Sequence, residues 1–341
     1  MTELLHTERP KDSEPFRAAY RDGISAYAAS LGQKALAERA AYLDPEKMTA
    51  DREKYRKDLI SLFGEPLTGY REEIGHYSLI HLSEETDFSL FRVTTEPLPG
   101  IPMTGLLYLP RRKGKMPLVL ALHGLNGTPE WIGDLVRPNE YSHFVLRVLS
   151  YGCAVYCPQT LMWDTRVFGA KCDRNETDAR LRMVGQSLNA LELFCLRRSI
   201  DTFSAEKGID AKKIRVAGLS YGAYLALHLA AIDQRIEAVY ASCFFNDRFR
   251  YPRLEMTYPG LYSRFGDAEI GALVCPRRLW IECGRHDCFF SAESAEKEAE
   301  KLKEYYSAAG CPDAFRFSVH DGGHKFSETD TGLDFFLEGK D

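Results

Sequence analysis

The sequence contains no apolar run approaching the 18 residues that a membrane-crossing helix requires, so no membrane span is expected. It has no basic excess either. Lys and Arg number 44 against 49 Asp and Glu, a net charge of −5, which excludes the electropositive face of a nucleic-acid binder. Residues 1–10 show no positively charged stretch leading into an apolar core, so a secretory signal is not expected and a cytoplasmic location is. The nine cysteines are odd in number, scattered and mostly set among apolar neighbours, which speaks against a disulfide framework and for reduced, buried thiols. Cys283 and Cys288 bracket His286, but that spacing fits no standard zinc pattern, and no metal is expected. Internal repeats and low-complexity linkers are missing as well. What remains is 341 residues, 45% of them hydrophobic. That is enough for one large α/β domain with an appendage, or for two modest domains.

One stretch organises the rest. Ile214–Ala217 is a short apolar run of the kind a buried strand makes. Gly218-Leu219-Ser220-Tyr221-Gly222 follows, a G-x-S-x-G match, and Ala223–Leu227 then suits a helix. Strand, sharp turn and helix with serine at the corner is the setting of a nucleophile elbow. The turn is so tight that a Cβ at Gly218 or Gly222 is expected to collide with neighbouring backbone, while Ser220 itself sits in strained φ/ψ.

Before this stretch, residues 1–75 read as helical and polar. Ala18–Leu43 carries mixed three and four spacing, Asp44-Pro45 is a helix start, and Asp51–Leu62 is a charged helix closed by Gly64. This extension serves as a brace on the sheet, a cap over the site or a dimer arm, with the brace favoured. Residues 76–341 form the second unit. Strand candidates are His76–Leu82, Phe88–Thr95, Met103–Leu109, Pro117–Leu122, Cys153–Cys157, Ile214–Leu219, Ala238–Cys243, Arg278–Cys283 and Phe315–His320. The first three read as an antiparallel meander. The later ones alternate with helical stretches such as Tyr141–Leu149, Arg180–Gly208 and Ala292–Ala309, which implies a parallel sheet covered on both faces. Two long connections, 159–180 and 245–270, are placed where such folds carry substrate contacts.

A serine hydroxyl needs a base, and the base needs an orienting acid. In the elbow setting the chain order is Ser, acid, His. Asp287 follows the strand ending at Cys283, just past the carboxyl edge of the sheet, and His324 follows the next strand on a Gly322-Gly323 loop. Ser220, Asp287 and His324 are therefore expected to converge as nucleophile, acid and base. Oxyanion donors are expected from the amide of Tyr221 and from the loop His123-Gly124-Leu125-Asn126-Gly127, where Leu125 is assigned and Asn126 is the alternative. His123 reads as structural.

His123-Gly124, the elbow, Gly284-x-x-Asp287 and Gly322-Gly323-His324-x-Phe326 together resemble the α/β-hydrolase superfamily, and within it the dienelactone hydrolase-like and acetyl-xylan-esterase-like bacterial carboxylesterases. The similarity runs from about residue 100 to the C-terminus. It implies a mostly parallel eight-stranded sheet with helices on both faces, and cofactor-free hydrolysis of a small-molecule ester through an acyl-enzyme on Ser220. Two departures stand out. Pro158-Gln159 replaces a Pro-Asp common in those relatives, and the elbow holds serine where dienelactone hydrolases use cysteine. A prolyl-oligopeptidase-like serine peptidase shares the Gly-x-Ser-Tyr-Gly-x-Tyr elbow, but that type usually carries a β-propeller where about 100 mostly helical residues precede the hydrolase part here. A non-catalytic hydrolase-fold binding module is the other alternative. Asn126, Gln159, Trp163 and Arg166 are candidate substrate contacts. Phe168 is a candidate pocket wall, and Arg248, Arg250 and Arg253, like Arg166, are read either as contacts to a carboxylate or sugar hydroxyls or as surface charges, with the surface reading favoured. No nucleic-acid or membrane partner is expected, and assembly into a homo-oligomer through residues 1–75 stays open.

Overall fold

The computed structural model describes residues 6–169 and 171–338; the first five residues of the N-terminal reading and the side chain of Phe168 lie outside the described residues. Nine strands form one sheet: β1 (Tyr77–Glu84), β2 (Phe88–Leu98), β3 (Ile101–Pro110), β4 (Met116–Leu122), β5 (Ala154–Pro158), β6 (Ile209–Leu219), β7 (Ile236–Ser242), β8 (Arg278–Gly284) and β9 (Phe315–His320). Their order is β1-β2-β3-β5-β4-β6-β7-β8-β9. The meander β1–β2–β3 is antiparallel and joins β5 antiparallel; every pairing from β5 onward is parallel. The sheet thus has one strand more than the eight that the resemblance implies. The reason is local: β1 pairs with β2 from Tyr77↔Thr95 to Glu84↔Ser89, so the first hairpin contributes a full edge strand.

The pleat sorts side chains between two cores. Leu118, Leu120 and Leu122 of β4 face one core, and Val119 and Ala121 the other. Helices Leu188–Ser204, Tyr221–Ile232 and Ala292–Ala308 close the first face with Leu193, Leu225 and Leu302. Helix Phe144–Ser150 and the C-terminal segment with Leu333 and Phe336 close the second. The expected helix Arg180–Gly208 is divided into Arg174–Met183 and Leu188–Ser204. Gly185 at φ 79° breaks the first, and the Ser187 side chain accepts from the amide of Ala190 to start the second.

The N-terminal segment has two parts with different fates. Asp44 and Asp51 cap helices Pro45–Ala50 and Arg52–Phe63 by accepting from the amides of Lys47 and Lys54. Leu59 and Phe63 are fully buried in the first core. The buried Arg56 guanidinium donates to the carbonyls of Ala231 and Leu273, at the ends of elements of the main body. This part lies against the sheet-bearing body as a brace would. The long helix Glu14–Tyr42 instead leaves residues 14–17 and 19–31 exposed, Ala18 half-buried, and buries Gly32 and Arg39 further on. Truncating the brace tests its contribution: Phe63→Ala should cost about 3–5 kcal/mol in denaturant unfolding, the usual loss for a fully buried aromatic ring, whereas a loss near zero would mean that the segment is dispensable.

Candidate active site

The elbow is built as its glycines require. Ser220 sits at φ 57° and ψ −117° between the end of β6 and helix Tyr221–Ile232. A Cβ on Gly218 would lie 2.2 Å from the carbonyl carbon of Gly222, and one on Gly222 would lie 2.1 Å from the carbonyl oxygen of Leu122. Neither contact has room for a methyl group, so only glycine allows β6, β4 and the helix to meet here. The amide of Ser220 donates to the Ser242 carbonyl at 2.9 Å, which ties the corner to β7.

The acid and base come together at the same carboxyl edge. Nδ1 of His324 lies 2.8 Å from Oδ2 of Asp287, whose side chain is fully buried. Burial pushes the Asp287 carboxyl up. The hydrogen bond and charge of His324, with the amides of Phe289 and Phe290, outweigh burial and hold it below the ordinary carboxylate range. The other oxygen of that carboxylate accepts from those two amides at 2.8 and 3.1 Å. Backbone locks the two loops side by side: the amides of Arg285 and His286 donate to the carbonyls of His320 and Gly322, each at 2.9 Å. A Cβ on Gly284 would lie 2.1 Å from the Gly323 carbonyl oxygen, so that approach also needs glycine. Glu282, two residues earlier on β8, is buried and accepts from Tyr240, Ser242, Trp280 and the amide of Ser327, so it anchors the segment after His324.

Ser220 and His324 line one cavity of about 280 Å³, with Leu125, Asn126, Arg253 and Phe289 among its other walls. They exchange no hydrogen bond in this arrangement; with Nδ1 engaged by Asp287, Nε2 is the remaining basic position of the ring. Phe289 meets the imidazole edge-on at 4.9 Å between centroids, and Phe290 stacks on it at 5.9 Å. Among the described residues the amides of Leu125 and Tyr221 donate to nothing, so both are unspent donors beside the hydroxyl. Cys243, Asp287 and His324 are the one group of metal-type ligands found among the described residues. Asp287 and His324 already satisfy each other, and the Cys243 thiol donates to the Lys325 carbonyl, so the donor set is committed within the protein.

His123 is fully buried. Its Nδ1 bonds the Gly124 carbonyl at 2.9 Å, and its Nε2 accepts from the amide of Thr160 at 3.1 Å. Burial, only partly offset by the Gly124 bond, lowers its pKa to about 4, so the ring is a neutral clip between the 124–127 loop and the 159–160 loop.

Of the expected substrate contacts, the structure brings Asn126 into the cavity and leaves the others outside. The Gln159 side chain bonds His123 and the Thr160 carbonyl. Gln159 and Trp163 line a separate groove with Leu161 and Leu188. Arg166 is 86% exposed and paired with Asp164. The cation that does reach the cavity is Arg253, for which the surface reading was favoured over a substrate contact; Arg248 is buried against Asp267 and Arg250 is exposed. A second feature had no sequence expectation. The Tyr221 hydroxyl donates to buried Glu192 and accepts from Arg174 at 2.8 Å, while Glu192 also accepts from the amide of Leu161. This network ties the residue after the serine to the 159–163 loop. Its signal was a lone carboxylate inside the apolar run Leu188–Cys195.

The comparisons with known proteins follow this geometry. No protein-family model matches the chain. A Bacillus subtilis (strain 168) protein named "Putative hydrolase YtaP" is 24% identical over 228 residues, which cover 63% of this chain and 75% of that one. Among solved structures, Methylesterase BT1017 superposes with a TM-score of 0.67 at 18% identity, over 91% of this chain and 68% of its own. A glucuronoyl esterase from Solibacter usitatus gives 0.60 at 16% identity, over 84% and 91%. These likenesses establish the α/β-hydrolase fold.

Buried neutral histidines make stability sensitive to acid. The pKa of His123 is lowered to about 4 and that of His228 to about 3, in both cases chiefly by burial. Between the unfolded value of about 6.5 and the folded value, the unfolded chain binds the extra protons, so stability falls as pH drops through that window. The melting temperature should decline steadily from pH 7 to 4.5, and His123→Gln should flatten part of that slope in a calorimetric series.

Proposed function

We propose that the protein hydrolyses carboxylic esters through an acyl-enzyme on Ser220. The observation that carries this reading is one cavity lined by a strained serine, by Leu125 with its unspent amide and by a histidine oriented by a buried carboxylate, with the unspent amide of Tyr221 next in the chain to the serine. His324 Nε2 takes the Ser220 proton as the hydroxyl oxygen attacks the ester carbonyl. Asp287 keeps the proton on Nδ1 and stabilises the imidazolium. The amides of Leu125 and Tyr221 receive the charge that develops on the carbonyl oxygen. His324 then protonates the leaving alcohol, and water clears the acyl group by the same route in reverse. The sequence relative named a hydrolase and the two solved structures named esterases agree with this reaction class.

The cavity narrows the substrate. At about 280 Å³ it is small for a binding site, which suits a short acyl group or one unit of a carbohydrate ester. Its walls combine Phe289, Phe290 and Met256 with the charged Glu140, Glu255 and Arg253. The Arg253 guanidinium lies over the rings of Phe289 and Phe290, at 5.1 and 5.8 Å from their centroids. That stacking leaves its N–H edge available to substrate.

Two measurements check the reading. Ser220→Ala should lower kcat for p-nitrophenyl acetate by on the order of 10⁴-fold or more and abolish labelling by a fluorophosphonate probe. Near-normal turnover by clean variant protein, or labelling at another residue, would sink it. Arg253→Gln should raise KM roughly tenfold or more for esters that bear a carboxylate, the loss of one charge-assisted contact, while neutral acetate esters change little. An equal change for both would assign Arg253 to packing.

A further inference from the structure

The helix Glu14–Tyr42 begins as an arm. Residues 14–17 and 19–31 are exposed and Ala18 is half-buried, so about 18 residues, roughly 27 Å of helix, lie almost free of the body. A helix of that length is marginal in water unless a face is packed. The arm has such a face. Phe16, Tyr20, Ile24, Tyr27 and Leu31 recur at spacings of four, four, three and four, which places them on one stripe. Their exposures are 75%, 75%, 52%, 65% and 45%. Five large apolar side chains in a line, held away from the body, are not the scattered single residues of an ordinary surface.

The stripe is self-complementary under a two-fold axis. When two arms run antiparallel with the axis between Gly23 and Ile24, Phe16 of one arm lies level with Leu31 of the other, and Tyr20 with Tyr27. The two Ile24 side chains meet on one side of the axis, and the two Gly23 residues meet on the other. A Cβ placed on Gly23 would have nothing within 4 Å, so the backbone there is open to close approach. Ser13 precedes the stripe, and Lys34 and Glu38 continue its line after Leu31, so its ends are polar. The stripe therefore has a defined length and one register that pairs every large residue. Ten such side chains at about 100 Å² each bury on the order of 1,000 Å², the lower bound for a specific interface.

We propose that the occupant of this face is a second copy of the chain, and that the protein is an isologous dimer joined by antiparallel pairing of residues 14–31. This is independent of the ester-hydrolysis reading. It gives the exposed part of the extension a role distinct from that of the brace at 45–63.

Sedimentation and light scattering of the full chain test it. At about 10 μM the wild type should be dimeric, and Tyr20→Glu/Tyr27→Glu should be monomeric, its dissociation constant raised a hundredfold or more, with unchanged ester turnover per chain. Direction is tested in a Cys288→Ser background, since Cys288 is the exposed native thiol. Chains carrying Phe16→Cys, mixed with chains carrying Leu31→Cys, should cross-link through a short bis-maleimide, and Phe16→Cys chains alone should not. A monomeric wild type at about 100 μM, whether or not the arm adsorbs to phosphatidylcholine vesicles, overturns the proposal. So does a dimer that survives the double glutamate substitution, and so does cross-linking between two Phe16→Cys chains.

Discussion

The geometry of the site depends on a steric constraint at one corner. Ser220 is held at a positive φ of 57°, a conformation that costs a non-glycine residue about 1–3 kcal/mol. The strand and helix on either side can impose it because Gly218 and Gly222 let them pass within van der Waals contact of each other and of β4. The strain aims the hydroxyl out of the sheet edge. The first amide of the following helix, that of Tyr221, comes directly after this corner and spends no hydrogen bond among the described residues. The positions of Ser220 and of that amide are therefore consequences of a single turn.

The opposite side of the site is fixed by different means. Asp287 and His324 sit on loops that follow adjacent parallel strands, so β8 and β9 set their separation before any side chain interacts. Backbone bonds between the loops, and the glycine contact of Gly284 with Gly323, remove most of the remaining freedom. Glu282 fixes the far end of the His324 loop through Ser327. The imidazole then needs one further bond, from Nδ1 to the carboxylate, to settle its tautomer. Such preorganisation spares the reaction the cost of assembling charges while it proceeds.

Much of this was legible in the sequence, because tight backbone geometry leaves a residue-type signature. Glycines at 218, 222, 284, 322 and 323 mark places where no Cβ fits or where a loop must bend, and the strand ends before Asp287 and His324 follow from apolar runs that stop. The nine strand candidates at residue level matched the sheet better than the eight implied by resemblance, since each short β-rich run, the exposed edge strand at 77–84 included, pairs with a neighbour. The broken helix at 184–187 was harder to foresee: its flanks are both helical in composition, and the break depends on Gly185 taking a left-handed conformation. Side-chain networks were not legible. Glu192, Arg174 and Tyr221 are far apart in the chain and meet only because the three helices that carry them come together in the fold. Nothing in the local pattern of Arg248, Arg250 and Arg253 tells which of three similar cations is buried, exposed or turned into the cavity.

That failure has a physical source, and it divides the molecule. The candidate nucleophile, acid and base are positioned by the sheet, whose register is set by short-range pattern. Other walls of their cavity come from the 124–126 and 245–265 loops, whose paths are set by long-range packing. Arg253 illustrates the point: its place depends on the short helix Leu254–Met256 and on the two phenylalanines after Asp287, from segments more than 30 residues apart. Changes in the 245–265 loop leave the backbone bonds of the Ser220 corner intact, because among the described residues no backbone bond of the elbow runs to that loop. The clip of His123 on Thr160 and the link from Tyr221 to Leu161 through Glu192 join the 124–127 loop and the residue after Ser220 to the 159–163 loop. Of the two long connections, that one is bonded to both sides of the corner, and under the proposed mechanism substitutions along it should alter turnover as well as binding.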